Sequence, residues 1–172
     1  MNTKKIVYSA LFAALCCVAT FVIRIPIAGG GYINAGDILV IASGWLLGPL
    51  FGPLAAGIGS AVADIMAGFV LYSPATFIIK GVMALIVAVV SKNAAKLGIK
   101  ILTVVIAEIV MVGGYLLYEY FLIGIGSAAF LNMVPNLIQA AVGGVVSVVL
   151  WQMLYKKLNL YLKGDKNGFG IN

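Results

Sequence analysis

No histidine occurs anywhere in the 172 residues, and charged side chains make up only 9% of them. The missing histidine excludes a His-based catalytic triad. With only two cysteines, Cys16 and Cys17, it also excludes the usual zinc ligand sets. Neighbouring residues on a helix point in different directions, so these two thiols are not expected to form an intrachain disulfide. They read as small packing residues. A phosphate loop of the form G-x-x-x-x-G-K-[ST] is absent too, so the chain has no nucleotide site of that kind with which to power a process. The shortage of charge is the strongest constraint. A soluble domain carries roughly 25% charged residues, whereas this chain is 63% hydrophobic with a mean hydropathy of +1.16. Such a chain cannot clothe a normal water-facing surface, and lipid is the solvent that fits.

A spanning helix needs about 20 mostly apolar residues. The expected fold is therefore an all-α integral membrane protein, a six-transmembrane-helix bundle forming one domain over residues 1–172. Glycine, proline and polar breaks place the spans at approximately 6–23, 37–50, 54–70, 75–90, 101–122 and 128–154. The first follows Lys4-Lys5 and reads as a span rather than a cleaved signal peptide. The stretch from Arg24 to Gly36, with three consecutive glycines, reads as an outer loop. Gly48-Pro49 and Gly52-Pro53 mark a tight turn, and the last helix, longer than a bilayer needs, is expected either to protrude or to bend at Pro135.

With an even number of spans both termini share one side. That side holds Lys4, Lys5, Lys92, Lys96, Lys100, Lys156, Lys157, Lys163 and Lys166, while the other holds only Arg24 near a loop. The bias predicts N- and C-termini in the cytoplasm of a bacterial plasma membrane protein. The net charge of +6 is thus a topology signal with affinity for anionic headgroups, and no nucleic-acid motif accompanies it. Small residues recur at four-residue spacing: Ala10 and Ala14; Gly44, Gly48 and Gly52; Ala55, Gly59, Ala63 and Ala67. Rows of this kind let helix backbones approach closely, within the bundle or against a partner.

Ionisable groups inside spans are expensive and point to function. Asp37 opens the second span at its outer end. Asp64 and Lys80 lie at similar depths below the outer ends of spans three and four, and are expected to meet if those helices are neighbours. Glu119 is near the outer end of span five, and Glu108 is deeper. On the last span Asn132, Asn136 and Gln139 fall on one helical face, continued by Gly143. Carboxamides both donate and accept hydrogen bonds, which suits a small polar heterocycle better than a simple ion. Tyr115 lies one turn before Glu119, Tyr118 is adjacent, and Tyr32, Asn34 and Tyr72 sit in the outer loops. Rings beside carboxylates, amides and a lysine suit a planar, hydrogen-bonding solute. The same groups also have structural readings, as an ion pair, as bonds between helices and as interfacial aromatics.

The ordered run Gly31-Tyr-Ile-Asn-Ala-Gly-Asp37, Gly48-Pro49, Gly57-Ile-Gly-Ser-Ala-Val-Ala-Asp64 and Tyr72-Ser-Pro-Ala-Thr-Phe-Ile-Ile-Lys80-Gly81 resembles the substrate-binding S components of energy-coupling factor (ECF) vitamin transporters. Met111-Val-Gly-Gly-Tyr-Leu-Leu-Tyr-Glu119 and Asn136-Leu-Ile-Gln139 extend the resemblance from Lys4 to about Leu154. It is most like the hydroxymethylpyrimidine or vitamin B6 type. The resemblance implies the S-component fold and capture of a vitamin or precursor from outside. It implies partnership with a transmembrane coupling protein and two cytoplasmic ATPase subunits, and no enzymatic activity or cofactor in this chain. It also implies that Ala10 and Ala14, matching the family's A-x-x-x-A signature, face the coupling protein. Candidate ligand contacts are Tyr32, Asn34, Asp37, Asp64, Tyr72, Lys80, Tyr115, Glu119, Asn132, Asn136 and Gln139, with the first outer loop as lid. Pyridoxine or hydroxymethylpyrimidine is the favoured substrate, and riboflavin, pantothenate and other vitamins stay open. A stand-alone transporter or channel, or a membrane scaffold protein, are the rival classes.

Overall fold

The computed structural model describes residues 3–26, 32–91 and 96–164, with side chains described as far as residue 153. The chain is an all-α multi-pass membrane protein with five helices long and apolar enough to cross a bilayer. They are α1 (Thr3–Val22), α2 (Gly36–Met66), α3 (Ser73–Val90), α4 (Leu97–Leu117) and α5 (Ala129–Gly164). A π-helical turn, Tyr118–Ile123, prolongs α4, and a short 3₁₀ turn precedes α5. Large apolar side chains such as Ile109, Phe121 and Leu131 project outward from the bundle, as a lipid-facing surface requires.

Six spans are expected from the sequence and five candidate membrane-crossing helices are found; the difference lies at Gly48. There the backbone leaves the helix with φ +76 and ψ −173. The positive φ favours glycine, and the extended ψ is what a following proline demands. Pro49 then starts the next helical turn, where its missing N–H costs nothing. The two halves of α2 are folded back on each other. The Ser43 hydroxyl donates to the Gly52 carbonyl at 3.2 Å, although nine residues of straight helix would separate them by about 13 Å. Residues 36–47 and 49–66 are thus antiparallel segments of one hairpin. The expected turn at 48–53 is present, but the halves are unequal, and the first is shorter than a typical span.

Close packing follows from the small residues. A Cβ built on Gly59 would lie 2.2 Å from the Ala13 carbonyl of α1, and one on Gly44 would lie 2.5 Å from the Ala84 carbonyl of α3. The rows through Gly44 and Gly59 are therefore internal contacts. Gly48 belongs to neither, since it makes the turn. Ala10 and Ala14 lie on the exposed face of α1.

Further differences from expectation are local. The helix expected to reach residue 70 stops at Met66, and Gly68 turns the chain at φ +85. The loop after α1 contains a small antiparallel hairpin, β1 (Arg24–Pro26) with β2 (Tyr32–Asn34), pairing Arg24 with Asn34 and Pro26 with Tyr32. Its glycines Gly29, Gly30 and Gly31 lie outside the described residues, as do Lys92 and Lys166. Helix α5 runs through Pro135 without interruption. Lys100, expected among the cytoplasmic-side charges, is buried: its Nζ lies 4.3 Å from the Trp151 ring centroid and 5.3 Å from that of Trp45.

Candidate functional site

The hairpin β1–β2, the end of α2, the start of α3, the end of α4 and the start of α5 converge at one end of the bundle. Their side chains enclose a cavity of about 30 Å³. Eight of the residues singled out in the sequence line it: Tyr32, Asn34, Asp64, Tyr72, Tyr115, Glu119, Asn136 and Gln139. Thr76 and Phe69 complete the lining and were not anticipated. Thr76 had a readable signal, because it lies one helical turn before Lys80 and so shares its face.

Asp37, Lys80 and Asn132 stand behind this lining. The buried Lys80 ammonium donates to Asp37 and lies 5.5 Å from the Tyr115 ring centroid. The expected Asp64–Lys80 meeting is thereby corrected to Asp37–Lys80. Lys80 packs beside the start of α2, and Asp64 at the far end of that hairpin turns instead to Tyr32, whose hydroxyl donates to Asp64 Oδ1. Asn132 donates to Glu119 Oε2 at 3.1 Å, and the Tyr72 hydroxyl donates to Glu119 Oε1 at 3.3 Å. Glu119 is buried at the start of the π-helical turn, where it receives both.

The carboxamide face of α5 is real. Gln139 Nε2 donates to Asp37 Oδ2 at 2.5 Å, while its Oε1 accepts from the Asn34 backbone amide at 2.7 Å. The Asn34 side chain in turn accepts from the Gly36 amide at 2.8 Å. An ordered path therefore runs from the Lys80 ammonium through Asp37 and Gln139 to the backbone of the hairpin. Gly143, one turn further along α5, permits the approach, since a Cβ there would meet the Asp37 Cβ at 3.2 Å.

The hairpin acts as a cover held at two points, Tyr32 on Asp64 and Asn34 on Gln139. Burial first, and then the neighbouring Asp64 carboxylate, raise the pKa of the Tyr32 phenol, so it remains a donor at physiological pH. Burial and Glu119 do the same for Tyr72. The aromatic walls are in mutual contact: Tyr32 and Phe69 rings lie 5.0 Å apart, and Phe69 and Tyr72 6.1 Å. Tyr118 is turned away to the Leu71 carbonyl. The Tyr115 hydroxyl pairs with that of Thr76 at 2.9 Å.

Two buried carboxyl groups retain oxygens with no hydrogen-bond partner among the described residues: Oδ2 of Asp64, and both oxygens of Glu108. The Thr76 hydroxyl is close to Asp64 but is engaged with Tyr115. Glu108 lies deeper, against Gly143 and Gly144, and is not part of the cavity lining. A cavity of this size holds only a water or two. Room for a heterocycle would require the hairpin and the side chains bonded across the cavity to move apart. No group of three or more acidic or cysteine side chains suited to a metal ion occurs among the described residues.

A family model described as ECF-type riboflavin transporter, S component, matches residues 1–157. A protein from Pyrococcus woesei, described as an uncharacterized protein in a gap 3′ region, is 38% identical over 149 residues, covering 85% of this chain and 98% of the relative. The thiamine precursor transporter HmpT of Lactococcus lactis subsp. cremoris (strain MG1363) is 28% identical over 170 residues, covering 98% of this chain and 94% of the relative.

Proposed function

On the premise that this chain belongs to the ECF-type riboflavin transporter S-component family, whose members are substrate-binding membrane proteins and not enzymes, we propose that it captures a small planar vitamin precursor of the hydroxymethylpyrimidine or pyridoxine kind. Capture occurs from outside the cell, at the cavity beneath the β1–β2 hairpin. Membership implies a vitamin substrate and ECF-module partners. The partners in this reading are a transmembrane coupling protein and two ATPase subunits that drive release inward. Both termini lie in the cytoplasm, with the lysine-rich end of the bundle facing inward and the hairpin outward.

The observation that carries the reading is the composition of the cavity wall. Aromatic rings from Tyr32, Phe69, Tyr72 and Tyr115 surround hydrogen-bonding groups from Asp64, Glu119, Asn136 and Gln139. Rings stack on a planar solute, and a few placed polar groups fix its orientation. The substrate named for the Lactococcus lactis relative, a thiamine precursor, supports a small heterocycle. The family description supports riboflavin as the second reading. Flavin is the larger ligand and demands a far wider opening of a cavity closed by Tyr32 and Gln139.

The test is equilibrium binding to the detergent-purified chain without ATP, using hydroxymethylpyrimidine, pyridoxine, thiamine, riboflavin and pantothenate. Tight binding of one of the first two supports the proposal. Tight binding of riboflavin alone replaces it with the second reading. Uptake in cells lacking the ATPase partners would instead establish a stand-alone transporter.

A further inference from the structure

Glu108 is a buried acid that the capture site leaves unused. It lies about 17 Å along α4 from Leu97, and so near the middle of a hydrocarbon core about 30 Å thick. It is 5% exposed and does not line the cavity, and both its carboxyl oxygens lack a hydrogen-bond partner among the described residues. The charged groups within electrostatic reach of it are Asp37 from α2 and Lys80 from α3. From α5 it meets Gly143 and Gly144, which bring no side chain. The Cys16 thiol of α1 and the Tyr115 ring of α4 stand toward the Asp37–Lys80 pair.

The two acids come together at Gly143. A Cβ built there would lie 3.4 Å from Glu108 Oε1 and 4.0 Å from Asp37 Oδ2. Asp37 and Lys80 already cancel each other's charge. An ionised Glu108 would therefore leave the cluster with a net negative charge deep in the bilayer and no donor to offset it, an arrangement that a carboxyl group avoids by keeping its proton. The anion could gain a partner only by drawing the Lys80 ammonium away from Asp37. Asp37 is the carboxylate that holds Gln139, and Gln139 holds the hairpin backbone at Asn34. The charge on Glu108 thus bears on the cover of a cavity that Glu108 does not touch.

We propose that Glu108 is a positioning residue of the capture site, and that it acts in its protonated form. The proton leaves Lys80 wholly to Asp37 and so keeps the line from Asp37 through Gln139 to Asn34 in place. Its loss sets two carboxylates in competition for one ammonium and slackens that line. Affinity is therefore full where Glu108 is protonated, and falls as pH rises through the range in which it ionises. This inference rests on reading the cavity as the vitamin site, and goes beyond it by giving capture a proton dependence set from outside the cavity.

The experiment titrates the full-length chain in detergent with hydroxymethylpyrimidine, pyridoxine and riboflavin, as wild type and as Glu108→Gln. It runs from about pH 6 to about pH 10, where ordinary carboxyl groups stay ionised. Glutamine keeps a neutral group of the same shape. The ratio of the two affinities at each pH cancels the ligand's own ionisation. That ratio should be near one at the acid end, and wild type should bind about tenfold more weakly than the variant at the alkaline end, as loss of one hydrogen bond to a charged group predicts. Infrared difference spectra of the ligand-free proteins at neutral pH read the proton itself. Wild type should show a protonated-carboxyl C=O stretch that Glu108→Gln lacks. A ratio that stays constant with pH overturns the inference and leaves the vitamin-capture reading standing, and so does the absence of that band. Markedly weaker binding by Glu108→Gln at the acid end also overturns it, because the site would then need the carboxylate. Binding of none of the three compounds by folded wild type overturns the capture reading and the positioning role with it. Glu108→Met, neutral and unbranched, takes the place of Glu108→Gln should that variant fail to fold.

Discussion

Gln139 and Asp37, separated by 102 positions in the chain, meet at 2.5 Å, and the same Gln139 side chain accepts the Asn34 amide of the hairpin at 2.7 Å. One carboxamide therefore joins the charged floor of the site to its cover. It does so because an amide presents a donor and an acceptor on opposite corners, which neither a carboxylate nor an ammonium does.

Gln139→Ala removes both bonds at once. In the free protein the Asn34 amide should exchange its hydrogen faster, because half of the hold on the hairpin is gone. Affinity should fall by tenfold or more, a hydrogen bond to a charged group being worth about 1.5–3 kcal/mol. Hydrogen exchange on the hairpin and ligand titration of the same sample read the two effects. Unchanged affinity with faster exchange would make Gln139 a purely structural tie.

The face carrying Asn132, Asn136 and Gln139 was legible because helical periodicity alone puts these residues in a row, and a row of amides in a lipid-soluble helix must face something polar. The Gly-Pro turn at Gly48 was legible for an equally local reason. The partner of Lys80 was not. Depth in the membrane pointed to Asp64, and the packing of the α2 hairpin against α3 pairs Lys80 with Asp37 instead. Phe69 and Thr76 escaped because a phenylalanine and a threonine in apolar sequence are unremarkable until Gly68 turns the chain and α4 brings Tyr115 alongside. The π-helical turn that prolongs α4 from Tyr118 has no simple signal in the sequence.

Lys80 and Asp37 are 1% and 0% exposed, so breaking their pair leaves an isolated charge in the bundle. Lys80→Met should destabilise the protein by about 3–5 kcal/mol, the usual result of removing one partner from a buried pair. Asp37→Asn combined with Lys80→Met should recover much of that loss, since no buried charge then lacks its counterion. Thermal unfolding of the two single variants and the double variant in one detergent gives the coupling. Additive losses would mean that the pair is not coupled.

Gly59→Ala and Gly113→Ala test the close approach of α1 to α2. A methyl group at 59 would sit 2.2 Å from the Ala13 carbonyl and 2.8 Å from the Cys16 Cβ, while one at 113 meets nothing within 4 Å. The first variant should lose about 1–3 kcal/mol, as overpacked interiors do. The second should be neutral or slightly stabilised, because alanine favours helix over glycine. Melting temperatures in detergent distinguish them. Equal melting of both would show that α1 shifts away freely.

Ala10 and Ala14 remain outward on α1 after the bundle is packed, and the internal contacts of that helix run instead through Ala13, Cys16 and Thr20. If this small-residue face meets the coupling protein, as the family resemblance implies, Ala14→Trp should leave ligand affinity of the isolated chain unchanged. It should abolish uptake by cells that supply the full ECF module, because a bulky ring prevents close approach of two helices. Leu131→Trp, at another exposed position, on α5, controls for a general effect of tryptophan and should preserve uptake. Normal uptake by Ala14→Trp would move the docking surface off this face of α1. Loss of binding in the isolated chain would mean that the substitution disturbs the bundle rather than an interface.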